Sequence, residues 1–152
     1  MMRRLLFATL LTSCSIAAMA EDNPLWLRHS AISPDGKTVA FAYCGDIFTV
    51  SANGGTAKQI TSNEAFDSHP VWSPDGRHIA FVSNREGSMD VWVMDADGGV
   101  PHRLTTNSGS EQPMRWLDNK TVMFRADVMP STESIIFSGS FPQIYTVGIE
   151  GG

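Results

Sequence analysis

Four histidines, His29, His69, His78 and His102, are the side chains best suited to move protons near neutral pH. Serines are plentiful, so a serine–histidine–aspartate arrangement is the first chemistry to weigh. No Gly-x-Ser-x-Gly elbow occurs to present such a serine. His78 opens a predicted strand beside Arg77, His69 precedes Pro70 on a strand approach, and His102 adjoins Arg103, which places them on surfaces or turns. Metal chemistry fares no better, since neither Cys-x-x-Cys nor His-Glu-x-x-His is found. Asp95-Ala96-Asp97-Gly98 has the opening spacing of a calcium loop, but Gly99 holds the third oxygen position and no acidic residue closes it. A hairpin turn is expected there instead. Cys44 lies between Tyr43 and Gly45 with no base or cation beside it in sequence to lower its pKa, so it is read as an unreactive thiol in a short loop. Asp46 and Asp90 open strands and are expected to accept hydrogen bonds from turn amides. No catalytic, cofactor-binding or metal-binding residue is therefore assigned, and no cofactor is expected.

The least repetitive stretch, 125–142, is the candidate binding element. It is read as a loop whose Arg125, Asp127, Met129, Glu133, Phe137 and Phe141 contact a peptide or a partner, because binding residues concentrate on loops held by a rigid scaffold. Trp26, Trp72, Trp92 and Trp116 could form a stacking platform. Three of them fall inside repeated strands, which predicts packing between structural units instead.

Those units are visible as an internal repeat. Ile32-Ser33-Pro34-Asp35-Gly36-Lys37-Thr38-Val39-Ala40-Phe41 returns 40 residues later as Trp72-Ser73-Pro74-Asp75-Gly76-Arg77-His78-Ile79-Ala80-Phe81. The segment from Asp46 to Gly55 returns 44 residues later as Asp90 to Gly99, and the copies close with Gln59-Ile60-Thr61 and Arg103-Leu104-Thr105. A weaker third copy runs from Arg115 to Phe124, aligned 43 residues on, and resumes at Gln143 after an insertion. Ser73-Pro74-Asp75-Gly76 fits a type I turn. Asn53-Gly54 and Asp97-Gly98 read as tight hairpin dipeptides with positive φ at both positions. Short β-branched and aromatic runs between these turns, with no helical period, predict an all-β fold. A period of four strands predicts a β-propeller blade. The chain is thus read as a partial β-propeller over 21–152, about three four-stranded blades near 28–61, 62–105 and 106–152, the third incomplete.

Residues 1–20 are read as a signal peptide. Arg3 and Arg4 precede the apolar run Leu5 to Leu11, and Ala18-Met19-Ala20 fits a cleavage site. Export to the periplasm, with cleavage after Ala20, is the expectation. Leu11-Thr12-Ser13-Cys14 offers a rival, a lipobox that would anchor the chain through Cys14. No apolar run is long enough for a transmembrane span. The 152 residues carry 11 Lys and Arg against 16 Asp and Glu, a formal charge of −5 that argues against nucleic acid as a partner.

The Trp72–Phe81 and Asp90–Thr105 blocks resemble the TolB-type propeller repeat, a relative of the WD repeat. The opening Pro24-Leu25-Trp26-Leu27-Arg28, followed at once by Ala31-Ile32-Ser33-Pro34-Asp35-Gly36, is similar to the start of secreted bacterial tricorn-like serine proteases. In that family an N-terminal propeller precedes a second propeller, a PDZ-like domain and a peptidase domain. The resemblance implies that this chain gates or binds peptides for a peptidase domain it does not itself contain. A TolB-like module for protein–protein contacts in the periplasm is the alternative. Propellers close with about four to eight blades. A blade face of roughly 350 Å², about half of it apolar, forfeits about 4 kcal/mol when left wet. Against a net stability of about 5–15 kcal/mol, two such faces predict either a fragment of a longer protein or self-association.

Overall fold

The computed structural model describes residues 26–107, 109–128 and 141–151. The proposed signal segment, with Cys14, lies outside them. Eleven strands and no helix are found among the described residues. β1 (Arg28–Ile32), β2 (Thr38–Tyr43), β3 (Asp46–Ser51) and β4 (Lys58–Gln59) form one antiparallel sheet in chain order. β5 (Asp67–Trp72), β6 (His78–Glu86), β7 (Ser88–Asp95) and β8 (His102–Arg103) form a second. β9 (Glu111–Trp116), β10 (Thr121–Val128) and β11 (Phe141–Gly148) form a third. β5 touches both β1 and β9, so these three first strands lie innermost, and β4 and β8 lie at the rim. Three consecutive meanders stacked face to face, not closed on themselves, are a partial β-propeller.

Alternation along each strand sends successive side chains to opposite neighbours. In the second sheet Ile79, Phe81, Trp92 and Met94 face the first blade, where they meet Ala40, Ile47 and Ile60. Ala80, Val91, Val93 and Leu104 face the third, where they meet Trp116, Val122, Phe124, Ala126 and Val147. The core is therefore two inter-blade layers, and every blade interior is shared with a neighbour.

The same device locks both layers. The indole N–H of Trp72 donates to the Ala31 carbonyl at 3.1 Å, and that of Trp116 donates to the Val71 carbonyl at 3.0 Å. Ile32, Trp72 and Trp116 pair with Val39, Ile79 and Val122, so they hold one repeat position. This corrects the alignment of the third copy. Its offset is 44 at Trp116 and falls to 43 at Val122, because the turn Leu117-Asp118-Asn119-Lys120 is one residue shorter than Ser73-Pro74-Asp75-Gly76-Arg77. In that shorter turn Asp118 accepts from the Lys120 amide at 2.7 Å. In the longer turns Asp35 and Asp75 accept from Ser33 and Ser73 and from the amides of Lys37 and Arg77.

The hairpin expectation is also corrected. Asn53 and Asp97 do not adopt positive φ; that conformation falls on Gly54, Gly55, Gly98 and Gly99. Each site is a four-residue turn, Ser51 to Gly54 and Asp95 to Gly98, closed by the glycine amide on the first carbonyl at 2.8 and 3.1 Å. The two-residue hairpin lies elsewhere. Cys44 and Gly45, at φ 52° and 93°, join Tyr43 to Asp46, which pair directly.

Replacing Trp72 by Phe keeps the ring in its layer and deletes the donor. Urea unfolding is expected to show a loss of about 1–3 kcal/mol, since the Ala31 carbonyl is left without its partner.

Candidate functional site

Two polar features recur at one end of the blades. The first is structural. Asp67 and Asp90 have fully buried side chains, yet each is paired: Asp67 takes two bonds from Arg85 at 2.9 and 2.7 Å, and Asp90 meets Arg103 at 2.8 Å and the Ser88 hydroxyl at 2.9 Å. Asp46, at the position of Asp90, meets the neutral Gln59 and Thr61 instead. Asp90, the third residue of β7, thus bonds to side chains where turn amides were expected, whereas Asp46 also accepts from the Asn63 amide. Burial, with the neighbouring Asp67 in support, pushes the Asp46 carboxyl up. Glu111 is pushed up likewise by burial and then by Asp90, and its Oε2 is buried without a partner.

The second feature is a groove of about 420 Å³ where blades 1 and 2 meet, lined by Trp26, Arg28, His29, Tyr43, Cys44 and Phe66. The Arg28 guanidinium stands 5.1 Å over the Trp26 ring. Phe66 is held by its amide, which donates to Asn84 Oδ1 at 2.7 Å, and its ring covers Gly45. Trp26 is 69% exposed and Phe66 45%. Beside them the rings of His29 and His69 stack at 3.5 Å between centroids. Both histidines sit at φ near +50°, at the bulges where β1 and β5 break register with their neighbours. Trp26, His29, Cys44 and His69 are the non-glycine residues at positive φ among those described, and all four gather here. Backbone strain of this kind persists where the surroundings over-determine it and clusters at ligand sites.

The groove is itself a product of the repeat. Trp26 and Phe66 are 40 residues apart, as are His29 and His69, and the third blade has Pro113 at the histidine position. Extending the 40-residue comparison upstream of Ile32 would have exposed both pairs. Cys44, expected to be unremarkable, is exposed on the groove wall.

The residues expected to bind a partner are placed differently. Arg125 and Asp127 are not in a loop: they sit on β10, 3.4 Å apart, on the side of blade 3 away from blade 2. Phe141 opens β11 and pairs with Val128 through the backbone. Met129, Glu133 and Phe137 lie outside the described residues. The structure does not bring Arg125 or Asp127 to the groove. Among the described residues no three histidine, cysteine or carboxylate groups converge as metal ligands, and no helix is long and apolar enough to cross a membrane.

Burial lowers the pKa of His29, with Arg28 adding to the effect, and burial followed by His29 lowers that of His69. Below about pH 6.5 the unfolded chain then takes up protons that the folded chain resists, so stability falls as pH falls. Asp46 and Glu111 run the opposite way. Urea midpoints between about pH 7.5 and about pH 5.5 should therefore drop less in the double variant His29→Gln, His69→Gln than in the parent chain.

Arg103→Met should cost about 3 kcal/mol by leaving Asp90 buried without its counter-charge, read by the same unfolding experiment.

Repeated meanders, indole-locked layers and an open stack define a β-propeller segment. The comparisons narrow the class. Residues 24–152 match the tricorn protease N-terminal beta propeller domain, and the chain belongs to that family. It is 35% identical over 82 residues to tricorn protease homolog 1 of Streptomyces coelicolor, covering 54% of this chain and 8% of that protein. It is 41% identical over 71 residues to dipeptidyl-peptidase 5 of Porphyromonas gingivalis, covering 40% of this chain and 10% of that protein. The matched segments thus span 10% and 8% of these relatives. Its fold matches a putative TolB from Agrobacterium tumefaciens with a TM-score of 0.70 at 24% identity, over 86% of this chain and 48% of that one.

Proposed function

We propose that this chain is the N-terminal propeller segment of an exported tricorn-like peptidase and that it holds or gates peptides for a peptidase domain supplied elsewhere. It contributes binding and leaves bond cleavage to that domain. The observation that carries the reading is the groove between blades 1 and 2. Exposed Trp26 and Phe66 with Arg28 are the residue types that dominate binding energy at peptide and protein surfaces. Arg28 supplies a cation for a peptide carboxylate, and the two rings supply apolar contact. Strain at His29 and Cys44 fixes the wall before a ligand arrives, which reduces the ordering cost of binding. The family, and the peptidase names of the relatives, supply the context of proteolysis. Export rests on the Arg3–Ala20 pattern, and fusing residues 1–20 to a phosphatase active only in an oxidising compartment tests it.

A protein-contact role of the TolB kind is the second reading, favoured by the fold likeness. The two are separated by titrating the purified chain with unstructured fluorescent decapeptides that carry a free C-terminal carboxylate or an amidated end. The peptide reading expects saturable binding, weakened about tenfold or more by Trp26→Ala or Phe66→Ala and weakened by amidation through loss of the Arg28 contact. Binding that survives all three changes but is lost on deleting 128–140 would return the site to the inserted segment. Absence of peptide binding would favour the protein-contact reading.

A further inference from the structure

The junction between blades 1 and 2 carries an arginine that the junction between blades 2 and 3 lacks. In the first, the Arg85 guanidinium lies 4.9 Å over the Trp92 ring and 5.6 Å over the Phe81 ring, and it donates to both oxygens of Asp67 at 2.9 and 2.7 Å. A buried carboxylate with two rings beside it is a seat for one guanidinium. The second junction repeats the seat residue by residue. Phe81 pairs with Trp92, and Phe124 pairs with Tyr145. Asp67 pairs with Ser83, and Glu111 pairs with Ala126. The cation is the part that does not repeat. Arg85 stands two residues beyond Ser83, and two residues beyond Ala126 stands Val128. The inserted stretch 128–140 has no lysine or arginine to take its place.

At this second junction lies a recess of about 550 Å³, lined by Thr105, Asn107, Glu111, Phe124 and Tyr145 among others. Glu111 is 3% exposed, and its Oε2 has no partner among the described residues. The Thr105 hydroxyl accepts from the Val91 amide at 2.9 Å and gives its own proton to the Glu111 carboxyl. The charged groups that act on Glu111 are Asp90, which repels it, and Arg103, which attracts it. Arg103 is already committed to Asp90 at 2.8 Å. The Phe124 and Tyr145 rings stand 5.8 Å apart at 28°, and the Tyr145 hydroxyl is held by Gln143 at 2.9 Å. A buried carboxylate oxygen without a donor is costly, and the chemistry that relieves it is a cation bearing N–H groups.

We propose that the recess between blades 2 and 3 binds an arginine side chain presented by a separate peptide segment, Glu111 pairing with the guanidinium and Phe124 and Tyr145 flanking it. Arginine fits better than lysine, because its planar fork pairs with a carboxylate and stacks on rings at once, as Arg85 does one junction earlier. Glutamate in place of aspartate extends the carboxylate by one methylene toward the incoming group. This site is separate from the groove between blades 1 and 2, and the proposal does not use the reading of that groove.

Titrating the isotope-labelled full chain with N-acetylarginine amide, followed by amide chemical shifts, tests this. The expected result is saturable binding with shifts at Glu111, Phe124 and Tyr145. N-acetylcitrulline amide, similar in shape but uncharged, should bind at least about tenfold more weakly, and Glu111→Gln should weaken arginine binding by at least about tenfold. Urea unfolding without the probe separates a ligand seat from one filled by the protein itself. Glu111→Gln should leave the midpoint unchanged or raise it, since it removes a buried charge, whereas Asp67→Asn should lower it by stranding Arg85. No saturable binding, equal binding of citrulline, shifts confined to other residues, or indifference to Glu111→Gln would each overturn the proposal. A drop in midpoint for Glu111→Gln comparable to that for Asp67→Asn would overturn it too, by showing the carboxyl already paired within the protein.

Discussion

A β-sheet with two apolar faces has no stable existence in water, and the second blade of this chain is such a sheet. Ile79 and Ala80 are adjacent in sequence, both wholly buried, and buried in different layers. Removing either neighbour would expose one of them. Trp72 and Trp116 make this dependence directional. Each sits on the inner strand of one blade and spends its N–H on the inner strand of the blade before, so a donor that would be costly to bury unpaired becomes the register mark between blades. Stacking order, spacing and the innermost position of β1, β5 and β9 all follow from that arrangement.

Within the second blade the buried carboxylates add polar ties between strands to the apolar layers. Asp67 and Asp90 flank Ser83 in one row across the second sheet, each paired to it through the backbone ladder. Each is matched by an arginine from its own blade, and Arg85 extends across the Trp92 ring at 4.9 Å, tying the polar end of the blade to the apolar layer. The first blade repeats the geometry with weaker chemistry, Gln59 standing where Arg103 stands, and its Asp46 is the carboxyl that burial pushes up. A repeated position therefore need not carry a repeated charge. The hydroxyl of Thr61 or Thr105, bonded to the amide of Ile47 or Val91, is the part that stays constant.

The fold was legible in the sequence because its causes recur. Ser-Pro-Asp-Gly turns, alternating strands and the spacing of Trp72 and Trp116 each state the same structure more than once. The misreadings arose where one residue changes a local count. The third turn is shorter by one, which displaces Trp116 in a linear alignment. Asn53-Gly54 looks like a tight hairpin until the second glycine, Gly55, absorbs the positive φ that asparagine would otherwise bear. Arg125 and Asp127 read as loop residues because the repeat pattern lapses after Phe124. On a strand whose outer face is not covered within the described residues, charge is tolerated, so polarity there reports exposure and not loop structure.

The groove was illegible for a different reason. Nothing in the local sequence of Trp26, His29, Cys44 or Phe66 marks chemistry; the site exists because two successive blades set equivalent residues side by side. In a repeat fold, recurring buried residues explain the architecture. Recurring exposed residues have no such duty, since water would satisfy them equally well at unrelated positions. An aromatic at 26 and 66 and a histidine at 29 and 69, all near one edge and two of them stacked, are therefore not required by the packing of the blades, and the proposed peptide contact rests on them. Pro113 in the third blade, unable to repeat the histidine, confines that surface to the first two blades and gives the groove a defined end.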